Sequence, residues 1–161
     1  MTADSPHTIV VLDPLIETTI ERLRQMLPPG FRLTHATDRG DAHLSQIIAK
    51  ADFAIAGQVG VSGEVMRAAR RLKLLHKWGV GVDNFDLEAA RACGIRIART
   101  TGSNAVPVAE YTLGLVIACM RNLAFGHAEL RKGLWRGFPL PNDSFTLSGK
   151  TVGIIGFGAI G

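Results

Sequence analysis

The stretch "KLLHKWGVGVDNFDLEAARACGIRIART", Lys73 to Thr100, decides the fold. A short apolar run, KLLHKWG, is released into Gly79-Val80-Gly81. DLEAARACG then reads as a short helix, with Asp86 placed to cap its start and Gly94 to stop it. IRIART follows as a second strand. Strand, helix and strand in that order make a βαβ unit, and such units build parallel sheets.

The same alternation extends toward the N-terminus. TIVVLD (Thr8 to Asp13) reads as a strand, and Pro14 suits the first turn of a helix whose apolar face is Leu15, Ile16, Ile20, Leu23 and Leu27. FRLTHA is a second strand, HLSQIIAKA a second helix and DFAIAG a third strand. SGEVMRAARRL is a helix with Ser62 as its N-cap. With KLLHKWG and IRIART the reading is an α/β domain built on an open parallel sheet.

The chain has 161 residues, 47% of them hydrophobic, and a formal charge of +4. That is enough apolar material for one packed domain with an appendage. The basic residues are dispersed among acidic ones, the longest basic runs being Arg70-Arg71 and Arg131-Lys132. This pattern argues against a nucleic-acid footprint and suits small anionic ligands. Met1 to His7 is polar, so neither a secretory signal nor a transit peptide is indicated and a cytoplasmic protein is expected. Cys93 and Cys119 lie in apolar or helix-like surroundings without CxxC spacing, and they are read as reduced packing residues, with no disulfide scaffold and no metal site.

After Asn104 the pattern changes. From Ala105 to Met120 apolar residues occupy nearly every side of a helix, which predicts burial on several faces, between two domains or two subunits. The run is shorter than the ~20 residues of a membrane span and contains Glu110 and a proline. AFGHAELRKGLWRGFPLPNDSFTLSGK reads as an irregular arm, and TVGII as a new strand.

Two glycine-rich turns carry the candidate chemistry. Gly156, Gly158 and Gly161 follow the TVGII strand in a GxGxxG arrangement. In that context the first glycine permits a tight turn, the second lets the backbone approach a pyrophosphate, and the third allows close helix packing. The acidic ribose partner expected about 20 residues on lies beyond Gly161. The other turn is Gly79-Val80-Gly81. Glycines around one small residue let successive N–H groups converge on a carboxylate or similar oxyanion. A tight turn in which Asn84 takes the left-handed conformation and Asp86 caps the next helix is equally compatible with these residues.

WGVGVDNFDLEAARACGIRIARTTGSNAVPVAEYTLGLVIACMRN, followed by GKTVGIIGFGAIG, resembles the NAD-dependent D-2-hydroxyacid dehydrogenase family, of the phosphoglycerate dehydrogenase type. The resemblance runs from about Thr8 to Gly161 and rests on the GVGVDN loop, the NxxxVAE helix start and the glycine turn. It implies a flavodoxin-like substrate domain over residues 1–103, an interdomain and dimerisation helix with its arm over 104–149, and the start of an incomplete Rossmann domain over 150–161. It further implies hydride transfer between NAD or NADP, with NAD favoured, and a D-2-hydroxy or 2-oxo acid.

By the same resemblance Gly79, Val80 and Gly81 hold the substrate carboxylate, with Gln58, Val59 and Gly60 lining the cleft. Val80, Thr112, Gly156, Gly158, Ala159, Ile160 and Gly161 face the cofactor. Asn104 and Glu110 are architectural, and a homodimer forms through Ala105–Met120. The family's catalytic arginine, glutamate and histidine have no counterpart among these residues, none of the five histidines matching. His76 is read as a packing or hydrogen-bonding residue, and Lys77 and Arg99 as solvated or structural. The chain is therefore expected to be a portion of such an enzyme, inactive by itself. The alternative is a non-catalytic dimeric ligand-binding module of the same descent. A relative acting on an inorganic anion is disfavoured, because the nonpolar Val80 adds no cation to the loop.

Overall fold

The computed structural model describes residues 7–135 and 144–161. The chain divides into two compact units, Met1–Thr101 and Gly102–Gly161.

The first unit alternates strands and helices: β1 (His7–Val11), α1 (Glu17–Gln25), β2 (Phe31–His35), α2 (Asp41–Ile48), β3 (Phe53–Ala56), α3 (Gly63–Ala68), β4 (Leu74–Lys77), α4 (Leu87–Ala92) and β5 (Arg96–Arg99). All pairs are parallel and the order is β2-β1-β3-β4-β5. This is the 2-1-3-4-5 order of flavodoxin-like sheets, in which strand order reverses between β1 and β3. The strands are short Val-, Ile- and Leu-bearing runs, and their buried side chains meet those of the helices. Val10, Leu12, Leu44, Ile48, Val61, Val65, Met66 and Leu75 are fully buried. At the amino end of the sheet the buried Asp52 accepts from Thr8 N at 2.9 Å and from Arg71 Nη2 at 3.2 Å, tying β1 and β3 to the segment after α3.

Two helix caps are as the sequence predicts. Ser62 Oγ accepts from Val65 N at 3.4 Å, and Asp86 Oδ1 from Ala89 N at 2.9 Å. Gly94, at φ +69°, ends α4 in the left-handed region that glycine enters without penalty. Other expectations need correction. Helix α1 starts at Glu17, three residues after Pro14, because Ile16 at its N-cap is extended. Of its expected apolar face only Ile20 is buried in the helix, and Ile16 is 72% exposed. Helix α3 stops at Ala68 rather than Leu72, since Ala69 leaves helical geometry.

The second unit contains α5 (Ala105–Met120) and α6 (Leu123–Arg131). Helix α5 has the expected bounds but not the expected burial: only Ala105 is buried, while Tyr111 and Leu113 are each about two-thirds exposed. Val106, Leu115 and Ile117 are exposed as well, while Val116 and Met120 are half-buried. Helix α6 replaces the first part of the expected irregular arm. Asn122 adopts φ 52°, a left-handed break that turns the chain between the two helices, and Ala, Leu, Glu and Arg then favour a new helix. The arm reading over 136–143 lies outside the described residues. No single helix among the described residues is long and apolar enough to cross a membrane, and α5 and α6, which reach that length only together, are bent by 66°.

The expected strand TVGII does not form. Residues 151–161 have no helix or strand, and Val152, Ile154, Ile155 and Phe157 are exposed. A strand is stabilised by a neighbour's N–H and C=O groups, and this segment has no paired neighbour. Cys93 and Cys119 are both exposed free thiols, so neither is a packing residue.

Candidate substrate site

Ligands of open parallel sheets bind beyond the carboxyl ends of the strands, at the crevice where strand order reverses. Here that crevice, between β1 and β3, is filled by a side chain. Asp13, directly after β1, is only 6% exposed. Its Oδ1 accepts from Gln58 N at 2.8 Å and Val59 N at 2.9 Å, and its Oδ2 accepts from Gly57 N. One carboxylate thus takes three successive amides of the loop after β3. Among the sequence-predicted residues of that loop, Gln58 and Val59 have their amides committed to Asp13. Gly60 N has no acceptor among the described residues.

The loop after β4 is fastened to the same structure. Lys77, the last residue of β4, donates from Nζ to Gly57 O and to Asn84 Oδ1, the latter at 2.8 Å, and its ammonium lies 5.4 Å from the Phe85 ring centroid. Asn84 Nδ2 donates to Val59 O at 2.7 Å, and Asn84 O accepts from Val61 N at 2.9 Å. Asn84 is not left-handed, the only non-glycine residue with positive φ among those described being Asn122. Its amide serves as a bridge between the loops. Gly79-Val80-Gly81 projects between these anchors. Gly79 O accepts from Thr100 N at 3.0 Å, and Val80 O from Arg99 Nη1 at 3.5 Å.

The N–H groups of Val80 and Gly81 donate to no other group among the described residues, and Val80 is 44% exposed. Adjacent N–H groups on a loop held at both ends are the kind of donors that can serve an anion. Asp83 is the nearby opposing charge: a Cβ placed on Gly81 would lie 2.7 Å from its Oδ1. His76 is engaged with Thr100 Oγ1 at 2.9 Å.

A cleft of about 440 Å³ bordered by Gly60, Asn84 and Phe85 differs in character. Its charged lining is one cation, Arg39, against Asp41, Asp83 and Asp86, a balance that repels an acid anion. The uncommitted amides, rather than this cleft, are the candidate carboxylate site.

Thr112 and the glycine turn belong to the second unit. Thr112 Oγ1 donates within α5 to Val108 O at 2.8 Å. Asn104 precedes α5 without a side-chain cap hydrogen bond, its carbonyl accepting from Val108 N at 3.0 Å. Gly156 has φ +88°, and a Cβ on Gly161 would lie 2.8 Å from Gly156 O, so a side chain at either place would disturb the turn. Gly158, Ala159 and Ile160 lie between them, exposed.

Asp13 is the site-building residue that motif reading passed over; Lys77, read as solvated or structural, is structural, and Asn84, read as a turn residue, bridges the loops through its side chain. Asp13 lies just past the carboxyl end of the first strand, where sites of open sheets form, and that position was the available signal.

Comparison with known proteins bears on the family of the chain. The family model described as D-isomer specific 2-hydroxyacid dehydrogenase, catalytic domain, matches residues 9–156. The D-3-phosphoglycerate dehydrogenase of Methanocaldococcus jannaschii is 35% identical over 154 residues, covering 95% of this chain and 28% of that relative. The NAD-dependent formate dehydrogenase from Staphylococcus aureus, solved in complex with NAD, superposes with a TM-score of 0.83 at 29% identity, over 95% of this chain and 50% of that one. The NADPH-dependent glyoxylate/hydroxypyruvate reductase from Sinorhizobium meliloti, solved with NADP and malonate, superposes with a TM-score of 0.76 at 27% identity, over 98% of this chain and 48% of that one. The chain therefore spans half or less of the proteins it matches. With a family model covering nearly its whole length, it belongs to the D-isomer specific 2-hydroxyacid dehydrogenase family.

Proposed function

We propose that this chain supplies the substrate-binding part of an oxidoreductase that interconverts a D-2-hydroxy acid and its 2-oxo acid with NAD or NADP. The observation that carries the reading is the pair of uncommitted amides at Val80 and Gly81, beyond β4 in a chain of this family. In this reading the two N–H groups hold the substrate carboxylate, and Gly79 gives the loop its close approach. Gly60 adds a third donor, while Gln58 and Val59 shape the wall with their side chains, their amides being taken by Asp13. Fixing the acid group in a rigid cradle orients the reacting carbon, which is worth a large part of a bimolecular barrier.

A bound nicotinamide dinucleotide supplies hydride acceptance or donation. Gly156, Gly158 and Gly161, with Ala159 and Ile160, are the residues that would hold its pyrophosphate, and Val80 and Thr112 would lie toward its nicotinamide end. NAD is favoured; solved relatives carry NAD or NADP. No residue of this chain is assigned the proton transfer, His76 being bonded to Thr100. The exposed apolar sides of α5 are read as a homodimer surface.

The test is an amide NMR titration of the 161-residue chain with pyruvate. Val80 and Gly81 are expected to show the largest shifts, and Gly81→Val, which pushes a side chain into Asp83 and screens the amides, is expected to weaken binding about tenfold. Shifts confined to other residues would remove the assignment.

A further inference from the structure

We infer that Arg99 is a specificity-determining residue: it reads a second anionic group, at the far end of a 2-oxo or 2-hydroxy acid whose carboxylate rests on Val80 and Gly81. The inference rests on the loop assignment above and adds to it the class of acid that binds.

The argument begins with a placement that a sheet ordinarily avoids. Strands β4 and β5 pair in a register that sets Lys77 directly opposite Arg99. Like charges opposite each other are destabilising, and neither residue forms an ion pair among the described residues. The partners of Lys77 are neutral: a carbonyl, an amide oxygen and a ring. Two cations without an ion-pair partner among the described residues therefore stand at the carboxyl edge of the sheet, beside the loop that carries the Val80 and Gly81 amides.

The two cations are not equivalent. Lys77 is turned inward and spent on holding the loops together. Arg99 is exposed, and its one side-chain hydrogen bond among the described residues is the long 3.5 Å bond from Nη1 to Val80 O. A guanidinium offers five N–H donors in a planar fork that matches carboxylate or phosphate oxygens, so most of this one is available. Its base cannot drift from the site, because the next residue, Thr100, donates from its backbone N to both Lys77 O and Gly79 O, at 3.2 and 3.0 Å. The guanidinium is thus held beside Val80, the residue whose N–H is assigned to the substrate carboxylate. Asp83 supplies a reason for the cation: its carboxylate lies against Gly81, and an acid with two negative groups needs a positive charge nearby to offset that repulsion.

The experiment compares dissociation constants of the 161-residue chain for pyruvate, 2-oxoglutarate, oxaloacetate and 3-phosphonopyruvate, read from the Val80 and Gly81 amide shifts. At least one acid with an anionic tail is expected to bind about tenfold more tightly than pyruvate, a factor typical of one charge-assisted contact. Arg99→Gln should bring that acid to within about twofold of pyruvate, both measured on the variant; Arg99→Lys should retain part of the advantage. Whether the carboxylate or the phosphonate tail gains identifies which anion is read. Equal binding of all four acids, with the Val80 and Gly81 shifts intact, would overturn the role of Arg99 while the loop assignment stands. An advantage that survives Arg99→Gln would overturn it as well. If none of the acids moves the two amides, both assignments fall together.

Discussion

At the scale of single residues, the group that shapes the candidate site is Asp13. A carboxylate that is nearly buried is costly unless its oxygens are bonded, and here three loop amides satisfy it. Hydrogen bonds to a charged group contribute more than neutral ones, about 1.5–3 kcal/mol each against roughly 1. Asp13→Asn keeps the shape but turns an NH2 donor toward an N–H, so we expect a loss of about 3 kcal/mol in urea denaturation. The Gln58 and Val59 amides should also exchange faster with solvent, whereas a loop set by other contacts would leave their protection unchanged. The sequence made the glycines legible because a GxG after a strand has few physical uses. It hid Asp13, because a lone aspartate after a strand has many. Asn84 was visible as a turn residue, yet its function is in its side-chain amide, whose partners Lys77 and Val59 come from other segments.

Among the elements, those with local signals were read well and those that depend on neighbours were not. Caps at Ser62 and Asp86 involve residues three positions apart, so the sequence alone specifies them. The strand expected at TVGII has the right composition, but pairing is a property of two segments. Helix α6 was missed because Gly126, Gly133 and nearby prolines suggested a loop, while the left-handed Asn122 that separates it from α5 leaves little trace in composition. The junction of β1 and β3 makes a prediction about acid stability. Asp52 is held below the ordinary carboxylate range, chiefly by the Thr8 N–H and then by the Arg71 side chain, against the opposing effect of burial. Lys73 adds a favourable charge, and His7 Nδ1 lies 3.9 Å away. A depressed folded pKa means that the unfolded chain takes up the proton first. The stabilisation is therefore complete above the unfolded value of about 3.8 and is lost as pH falls below it through the folded value. Urea midpoints measured from pH 6 downward should drop steeply below about pH 4 in the wild type. Asp52→Asn should be less stable at pH 6 and flatter below 4; an equally steep decline would place the acid sensitivity elsewhere.

For the whole molecule, the two units differ in how far their apolar surface is satisfied. The first is an open five-stranded parallel sheet with a buried core. In the second, Val106, Tyr111, Leu113, Leu115 and Ile117 along α5, with Leu123 and Phe125 on α6, remain exposed. Their apolar character was plain from the sequence; what covers them was not, because a helix that is apolar on all sides fits a domain junction, a subunit interface or a core equally. Each large side chain of this kind gains about 1.5–3 kcal/mol on full burial, so several together favour association strongly. Patches of this sort on soluble proteins mark interaction surfaces. We therefore expect the 161-residue chain to sediment as a dimer at micromolar concentration and to dissociate on dilution. Leu113→Glu, at a position about two-thirds exposed and outside the first unit's core cluster, should shift the equilibrium to monomer without changing the urea midpoint of that unit. A wild-type chain that sediments as a monomer across the range would assign α5 to contacts other than a second copy, and a dimer unaffected by Leu113→Glu would move the interface off this helix.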